Sequence, residues 1–298
     1  MSPGPDLVGL DLGGTALKAA LVQVGDEVVI KRTHVLDTPR TGAPDELIDS
    51  LVEAANLVSA GGRVTGVGVG VPGQFDVATG TLRALPNVPG SWQGYPLRGR
   101  LAAALSLPVH VVNDSQAFTL AEASIGAATG RRTVLGVTLG TGIGGGVCLN
   151  GRIHRGANGA AGEIGHQVIV ADGPVCGCGR RGCLEAIARP AVLASLAGKA
   201  TAAEAFDAVR AGEPRALEAL ATITGYLGIG LANVIAVIDP DVVVVGGGLA
   251  QAGDLLLEPL RAAIRRCVSV VPPASVAVVE GSLGTIAGAV GAALACSS

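Results

Sequence analysis

Four side chains within eighteen residues, His166, Cys176, Cys178 and Cys183, lie among glycines that let the backbone fold tightly around an ion. One imidazole and three thiols make a tetrahedral Cys3His zinc set. Buried small hydrophobes or a local disulfide are the alternative. Cys-x-Cys is poor disulfide geometry, however, and no basic-then-apolar leader argues for an oxidising compartment. Upstream, Gly140-Thr141-Gly142-Ile143-Gly144-Gly145-Gly146 is a glycine loop whose N–H groups suit a phosphate. Asp11-Leu12-Gly13-Gly14-Thr15 repeats that chemistry near the start of the chain, with Asp11 able to hold Mg2+ through water and Lys18 to supply positive charge. A strand, not a helix, follows each loop, so neither is a Walker loop nor a dinucleotide fingerprint. A plain β-turn is the competing reading.

Three carboxylates complete the set. Asn113-Asp114 stands where a buried strand gives way to a helix, so Asp114 is either an N-cap or a general base kept ionised by the helix N-terminus. Glu163 lies three residues before His166, and Glu185 two past Cys183, so a metal knot would bring both close together. Such a pair suits sugar hydroxyls, which donate to carboxylates; solvated surface glutamates are the alternative.

The elements that must position these groups are short and apolar. Residues 7–36 form a three-stranded meander, and Pro44–Ala60 a helix with Leu47, Leu51, Ala54, Ala55 and Val58 on one face. Val64–Val71 is a strand ending at Pro72-Gly73, Leu97–Leu105 a short helix, Val109–Val112 a buried strand and Ser115–Ala127 a helix. Thr133–Leu139 opens a second glycine-broken hairpin, and its likeness to residues 7–22 predicts two related halves. Leu184–Ala211 and Leu217–Ile238 read as helices. Asp241–Val245 is a buried strand that Gly246-Gly247-Gly248 turns towards a helix near Leu255–Cys267. Ala274–Val279 is a last strand and Gly284–Ala295 a small-residue helix.

With 298 residues, 49% of them hydrophobic and 15% charged, the chain can fill two sizeable cores. A net charge of -3 without long Lys/Arg clusters excludes an electrostatic footprint for nucleic acid or an anionic membrane. The most apolar run, Gly225 to Ile238, is too short to cross a bilayer. A cytoplasmic protein is expected. Cys148, Cys267 and Cys296 sit in apolar surroundings and read as inert thiols.

Taken together, DLGGTALK at 11–18, Pro72-Gly73 with Asn87 downstream, VND at 112–114, LGTGIGGG at 139–146, GEIGH at 162–166 and CGCGRRGCLE at 176–185 resemble the ROK family of sugar kinases and sugar-responsive repressors. The resemblance covers essentially the whole chain. It implies an actin-like, ribonuclease H-like α/β ATPase fold, with residues 1–113 plus 286–298 as a small domain, 114–285 as a large one, and sugar in the cleft between. It also implies ATP on the two hairpins (Asp11, Gly13, Gly14, Thr15, Lys18, Thr141, Gly142), with Gly247 in the adenosine-side loop and Mg2+ as cofactor. Asp114 would be the catalytic base. Asn87, Asn113, Asp114, Glu163, His166 and Glu185 would contact the sugar, with zinc on His166, Cys176, Cys178 and Cys183 in a structural role. The family's repressors carry a helix-turn-helix domain before the first motif, and only ten residues precede Asp11 here. The cysteine motif resembles the ATP-dependent branch rather than the polyphosphate-using one. The expectation is a 6-hydroxyl hexose kinase, glucose first, working as a homodimer or homotetramer. Kinases for N-acetylmannosamine, N-acetylglucosamine or fructose, and a non-catalytic sugar sensor, are the alternatives.

Overall fold

A computed structural model describes residues 4–60, 62–272 and 275–297. The chain divides into two compact units. The first comprises Met1–Thr129, Gly151–Ala161 and Leu283–Ser298, the second Gly130–Asn150 and Gly162–Ser282.

The first unit is built on strands β1 (Asp6–Leu12), β2 (Ala16–Val24), β3 (Val28–Asp37), β4 (Val64–Val71) and β7 (Val109–Asn113), in the order β3-β2-β1-β4-β7. The β1–β2–β3 meander is antiparallel, whereas β4 and β7 add in parallel. A two-strand ribbon, β5 (Gln74–Phe75) and β6 (Leu82–Ala84), stands apart from that sheet. Helix α1 (Pro44–Ser59) starts on Pro44, carries Asp45 and Glu46 in its first turn, and buries Leu47, Leu51, Ala54, Ala55 and Val58 as the periodicity predicts. It covers one face of the sheet, and α2 (Leu97–Leu105) packs beside it. β1 is buried almost throughout because α9 (Ala287–Leu294) also packs against this sheet. That helix comes so close that a side chain at Gly68 would strike the Ala292 carbonyl, which explains its small-residue composition. β3 is the exposed edge, and its Lys31 and Arg32 make it a poor template for another strand.

The second unit repeats the plan. Strands β8 (Thr133–Leu139), β9 (Ile143–Leu149), β11 (Val242–Gly246) and β12 (Ala277–Glu280) lie in the order β9-β8-β11-β12, and β10 (Arg152–Ile153) follows β9 in the chain. β8 and β9 form an antiparallel hairpin, and β11 and β12 extend it in parallel. The expected start of the last strand, Ala274, lies outside the described residues.

Three expectations change. The helix read over Leu184–Ala211 is three helices, α4 (Leu184–Ala188), α5 (Pro190–Ala197) and α6 (Ala202–Arg210). Pro190 opens α5 and Gly198 closes it in the left-handed conformation, φ 70. The boundary placed at 113/114 falls at 129/130 instead, because α3 (Asp114–Ile125) packs on α9 and stays with the first unit, as do residues 151–161. Finally, the apolar run at Gly225–Ile238 belongs to a longer helix, α7 (Pro214–Ile238), 25 residues and by length and composition alone enough to cross a membrane. Its buried face, including Leu220, Ile223, Leu227 and Leu231, packs on α4, α5, α6 and α8 (Asp254–Cys267), which is the behaviour of a core helix.

Candidate active site

The candidate residues fall into two groups, one in each unit. In the first, the β1–β2 hairpin turns through Gly13, Gly14 and Thr15, closed by Gly13 N–H donating to the Ala16 carbonyl at 3.0 Å. Its carbonyls are occupied from behind. Buried Thr38 donates its hydroxyl to Gly13 O at 2.7 Å and its N–H to Thr15 O at 3.1 Å. Thr38 is a residue that sequence reasoning misses, since a lone threonine between Asp37 and Pro39 carries no spacing signal. Asp11, 9% exposed, pairs with Lys18 Nζ at 3.0 Å, and Gly288 at the start of α9 leaves room for its carboxylate. Asn87 is exposed, with φ 66, and its backbone lies against Gly14, so these two candidates meet.

Asp11 pairs with Gly70, Gly70 with Val112 and Val71 with Asn113. Asp11 and Asn113 therefore emerge at the carboxyl ends of parallel strands two positions apart, about 10 Å across the sheet, the edge where open α/β sheets bind ligands. The cap question is settled by geometry. Asn113 is the N-cap, its Oδ1 accepting from Ser115 N at 3.0 Å and Gln116 N at 3.1 Å. Asp114 occupies the first helical position instead, its Oδ1 accepting from Ser115 N at 2.7 Å and Ser115 Oγ at 3.2 Å.

In the second unit, the β8–β9 hairpin turns at Gly140-Thr141-Gly142, with Gly140 N–H on Gly142 O at 3.1 Å. Glu185 anchors it: Oε2 accepts from Ile143 N at 3.0 Å, and the carboxylate lies where a side chain on Gly142 would go. Gly247, φ 88, packs on the Leu139 backbone at the base of the same hairpin, so the 246–248 turn and the glycine loop are neighbours.

His166, Cys176, Cys178 and Cys183 have their ligand atoms within 4.8 Å of one another. Cys176 Sγ is 3.7 Å from His166 Nδ1, and Cys178 Sγ is 3.7 Å from Cys183 Sγ. A zinc–sulfur bond of about 2.3 Å gives tetrahedral edges near 3.8 Å, so the set fits the ion. Burial pushes the Cys183 thiol up to about 12 and the Cys176 thiol upward, while the backbone N–H of Arg180 draws exposed Cys178 down. Two of the three sulfurs thus need a cation's field to become thiolates.

The imidazole turns Nε2 to Glu163 Oε2 at 3.8 Å, so a metal on Nδ1 would orient Glu163 through the ring. Burial raises the Glu163 carboxyl, with Glu185 adding to the shift and His166 opposing it. The two glutamates are electrostatic neighbours, as their spacing around the cysteines predicts. Glu185 also reaches Cys176 Sγ at 3.7 Å and so joins the glycine loop to the cysteine cluster, a link invisible in the sequence. Cys148, Cys267 and Cys296 lie outside the four-residue set.

Two units of one strand order, each opening on a glycine hairpin, define an actin-like ATPase fold. The chain belongs to the ROK family, whose profile matches residues 7–297. A glucokinase of Thermotoga maritima is 36% identical over 313 residues, covering 98% of this chain and 97% of that protein. Among solved structures, a ROK family glucokinase from Streptomyces griseus in complex with glucose and AMPPNP has a TM-score of 0.84 at 32% identity, over 97% of this chain and 98% of that one. The ROK hexokinase from Thermus thermophilus has a TM-score of 0.83 at 38% identity, over 97% of each chain.

Proposed function

We propose that this protein is an ATP-dependent hexose kinase, transferring the γ-phosphoryl group of ATP to the 6-hydroxyl of glucose. The observation that carries the reading is Asp114. It stands at the first position of α3, directly after the Asn113 that caps the helix, at the carboxyl edge of the sheet.

In this mechanism Asp114 accepts the proton of the 6-hydroxyl as that oxygen forms its bond to the γ-phosphorus. The bond from phosphorus to the bridging oxygen breaks, and ADP leaves with the electron pair. With Gly13 and Gly140 closing the two turns, the backbone N–H groups of Gly14, Thr15, Thr141 and Gly142, with Lys18, bind the phosphates, and Gly247 lies on the adenosine side. Asp11 would hold Mg2+ through water, and the ion would neutralise phosphate charge. Asn87, Asn113, Glu163, His166 and Glu185 bind sugar hydroxyls. Zinc on the Cys3His set is structural, since four protein ligands leave no open position for water. Movement of the units on sugar binding excludes water that would otherwise hydrolyse ATP.

The protein acts in the cytoplasm, on small molecules rather than nucleic acid. Exposed Ile229 and Val237 on α7 favour a homodimer or homotetramer. Coupled measurement of ADP release over glucose, mannose, fructose, N-acetylglucosamine and N-acetylmannosamine, with ATP or polyphosphate, tests the reading. Turnover highest with glucose and ATP is expected. Preference for another sugar would move the assignment within the family. Sugar binding without turnover on any donor would make the protein a sensor.

A further inference from the structure

Helix α3 holds more than Asp114. Its Glu122 is 0% exposed, a carboxylate sealed inside the first unit. Oε2 accepts from Ala127 N at 2.8 Å and Oε1 from Leu283 N at 2.9 Å, segments far apart in the chain. The chain first leaves this unit between Thr129 and Gly130 and returns for the last time at Leu283. One carboxylate thus binds the roots of the first exit and the final return. Gln116, 3% exposed and on the same helix, donates to Gly159 O and Ala161 O, both at 3.1 Å, just before the exit at Ala161/Gly162. Two buried polar side chains of α3 therefore grip three of the four links.

Each link also carries a glycine in the left-handed region: Gly130 at φ 80, Gly151 at φ 76, Gly162 at φ 94 and Gly284 at φ 58. Any motion of the units has to be absorbed in the backbone of these links. A buried carboxylate is a costly way to hold a turn, since neutral caps serve and desolvating a charge is expensive. Two charge-assisted bonds to separate backbone segments do what a neutral cap cannot: they fix both segments to one rigid point. The turn between is tight as well, with Thr129 N and Oγ1 both on Gly126 O, at 3.1 and 2.8 Å.

We propose that Glu122 is a positioning residue for phosphoryl transfer, clamping the first exit and last return of the chain to the helix that carries Asp114, so that these segments turn with that helix. The inference rests on the kinase reading above.

Glu122→Gln tests it, because an amide has one acceptor oxygen for two backbone donors. Sugar affinity, read from Trp92 fluorescence, should stay within about threefold and kcat should fall at least about tenfold. Hydrogen exchange at the amides of Ala127 and Leu283 should accelerate in the same variant, and the share of ADP released without sugar should rise. Faster exchange with kcat within twofold of wild type would overturn the proposal. So would a loss of kcat that only tracks lost folded protein or lost sugar affinity. Glu122→Asp guards against a variant that fails to fold, since it keeps the carboxylate but draws it back from the N–H groups of Ala127 and Leu283. It should lower kcat with sugar affinity intact; unfolding of both variants would mark Glu122 as structural. Wild-type protein without sugar-dependent turnover would instead fail the kinase reading, leaving the exchange result to report on the clamp alone.

Discussion

Either Asn113 or Asp114 could cap α3 by residue type, and Asn113 is the one that does. Asn113 Oδ1 is committed to two backbone N–H groups, which leaves its amide nitrogen for a ligand. Replacing Asp114 by Asn should therefore reduce kcat by at least about a thousandfold while the KM for sugar stays within about threefold, since only proton acceptance is lost. Asn113→Ala should instead lower stability by about 1 kcal/mol through the lost cap, and activity with it. Thermal unfolding and steady-state kinetics on both variants separate the roles. The dipeptide was legible in the sequence as a junction of strand and helix, but not which member caps, because both side chains offer an acceptor at the same place. The cysteine cluster was more legible, because metal-ligand chemistry is carried by residue type and spacing. About one zinc per chain should be measured in the purified protein. Removing it with a chelator should weaken sugar binding more than it slows turnover of bound substrate, because an ion on His166 Nδ1 would orient Glu163 through the ring. Zinc release followed by a colorimetric chelator beside the sugar KM checks this.

At the scale of elements, each hairpin depends on a partner beyond its own glycines. The first leans on Thr38 and the second on Glu185, and neither link could be read from the turns themselves. Gly142→Ala should drive the Glu185 carboxylate from the hairpin and lower kcat/KM for ATP at least about a hundredfold; Thr38→Val, which removes one hydrogen bond worth about 1 kcal/mol, should raise the KM for ATP and leave sugar affinity unchanged. Strand starts are pinned in a similar way. Asp241 Oδ2 accepts from Thr133 N at 2.8 Å and Arg132 N at 2.9 Å, and these bonds, Thr133 first, hold its carboxyl below the usual carboxylate range. A carboxyl that titrates lower folded than unfolded stabilises fully above the unfolded value and loses that contribution as pH falls through the folded one. Asp241→Asn should thus unfold at lower urea than wild type at pH 7, and the two midpoints should converge as pH falls through the lowered folded value. Helix starts and stops were equally local: Pro190 and Gly198 announce the breaks in 184–211, but apolar periodicity running through them reads as one helix.

The whole molecule is a doubled plan, and the doubling was visible because both halves open on the same hairpin chemistry. The boundary was not, since what keeps α3 in the first unit is its contact with α9, more than 160 residues away and made by small side chains without periodic signature. Gly291 sits against the Ala117 carbonyl there, a contact only three dimensions reveal. Choice of sugar is likewise a property of the assembled chain. The loop 85–95 is ordered by Trp92, whose Nε1 donates to Val88 O and Pro89 O and whose ring meets Tyr95 edge-on at 5.5 Å, but no residue in it encodes an epimer. Thermal stability reports the choice without assuming chemistry. A ligand that binds only the native state at about a hundred times its Kd adds about 2.7 kcal/mol, which for a chain of this size raises Tm by about 4 °C. Glucose should give that shift without ATP, and a sugar lacking a fitting hydroxyl should give less, because a bound carboxylate left without its donor loses the hydrogen bond and keeps the desolvation cost. Scanning fluorimetry over the same sugars as the ADP assay should place glucose first in both orders. A sugar that stabilises most but is not phosphorylated would identify an inhibitor, and would separate the residues that recognise hydroxyls from the one that removes their proton.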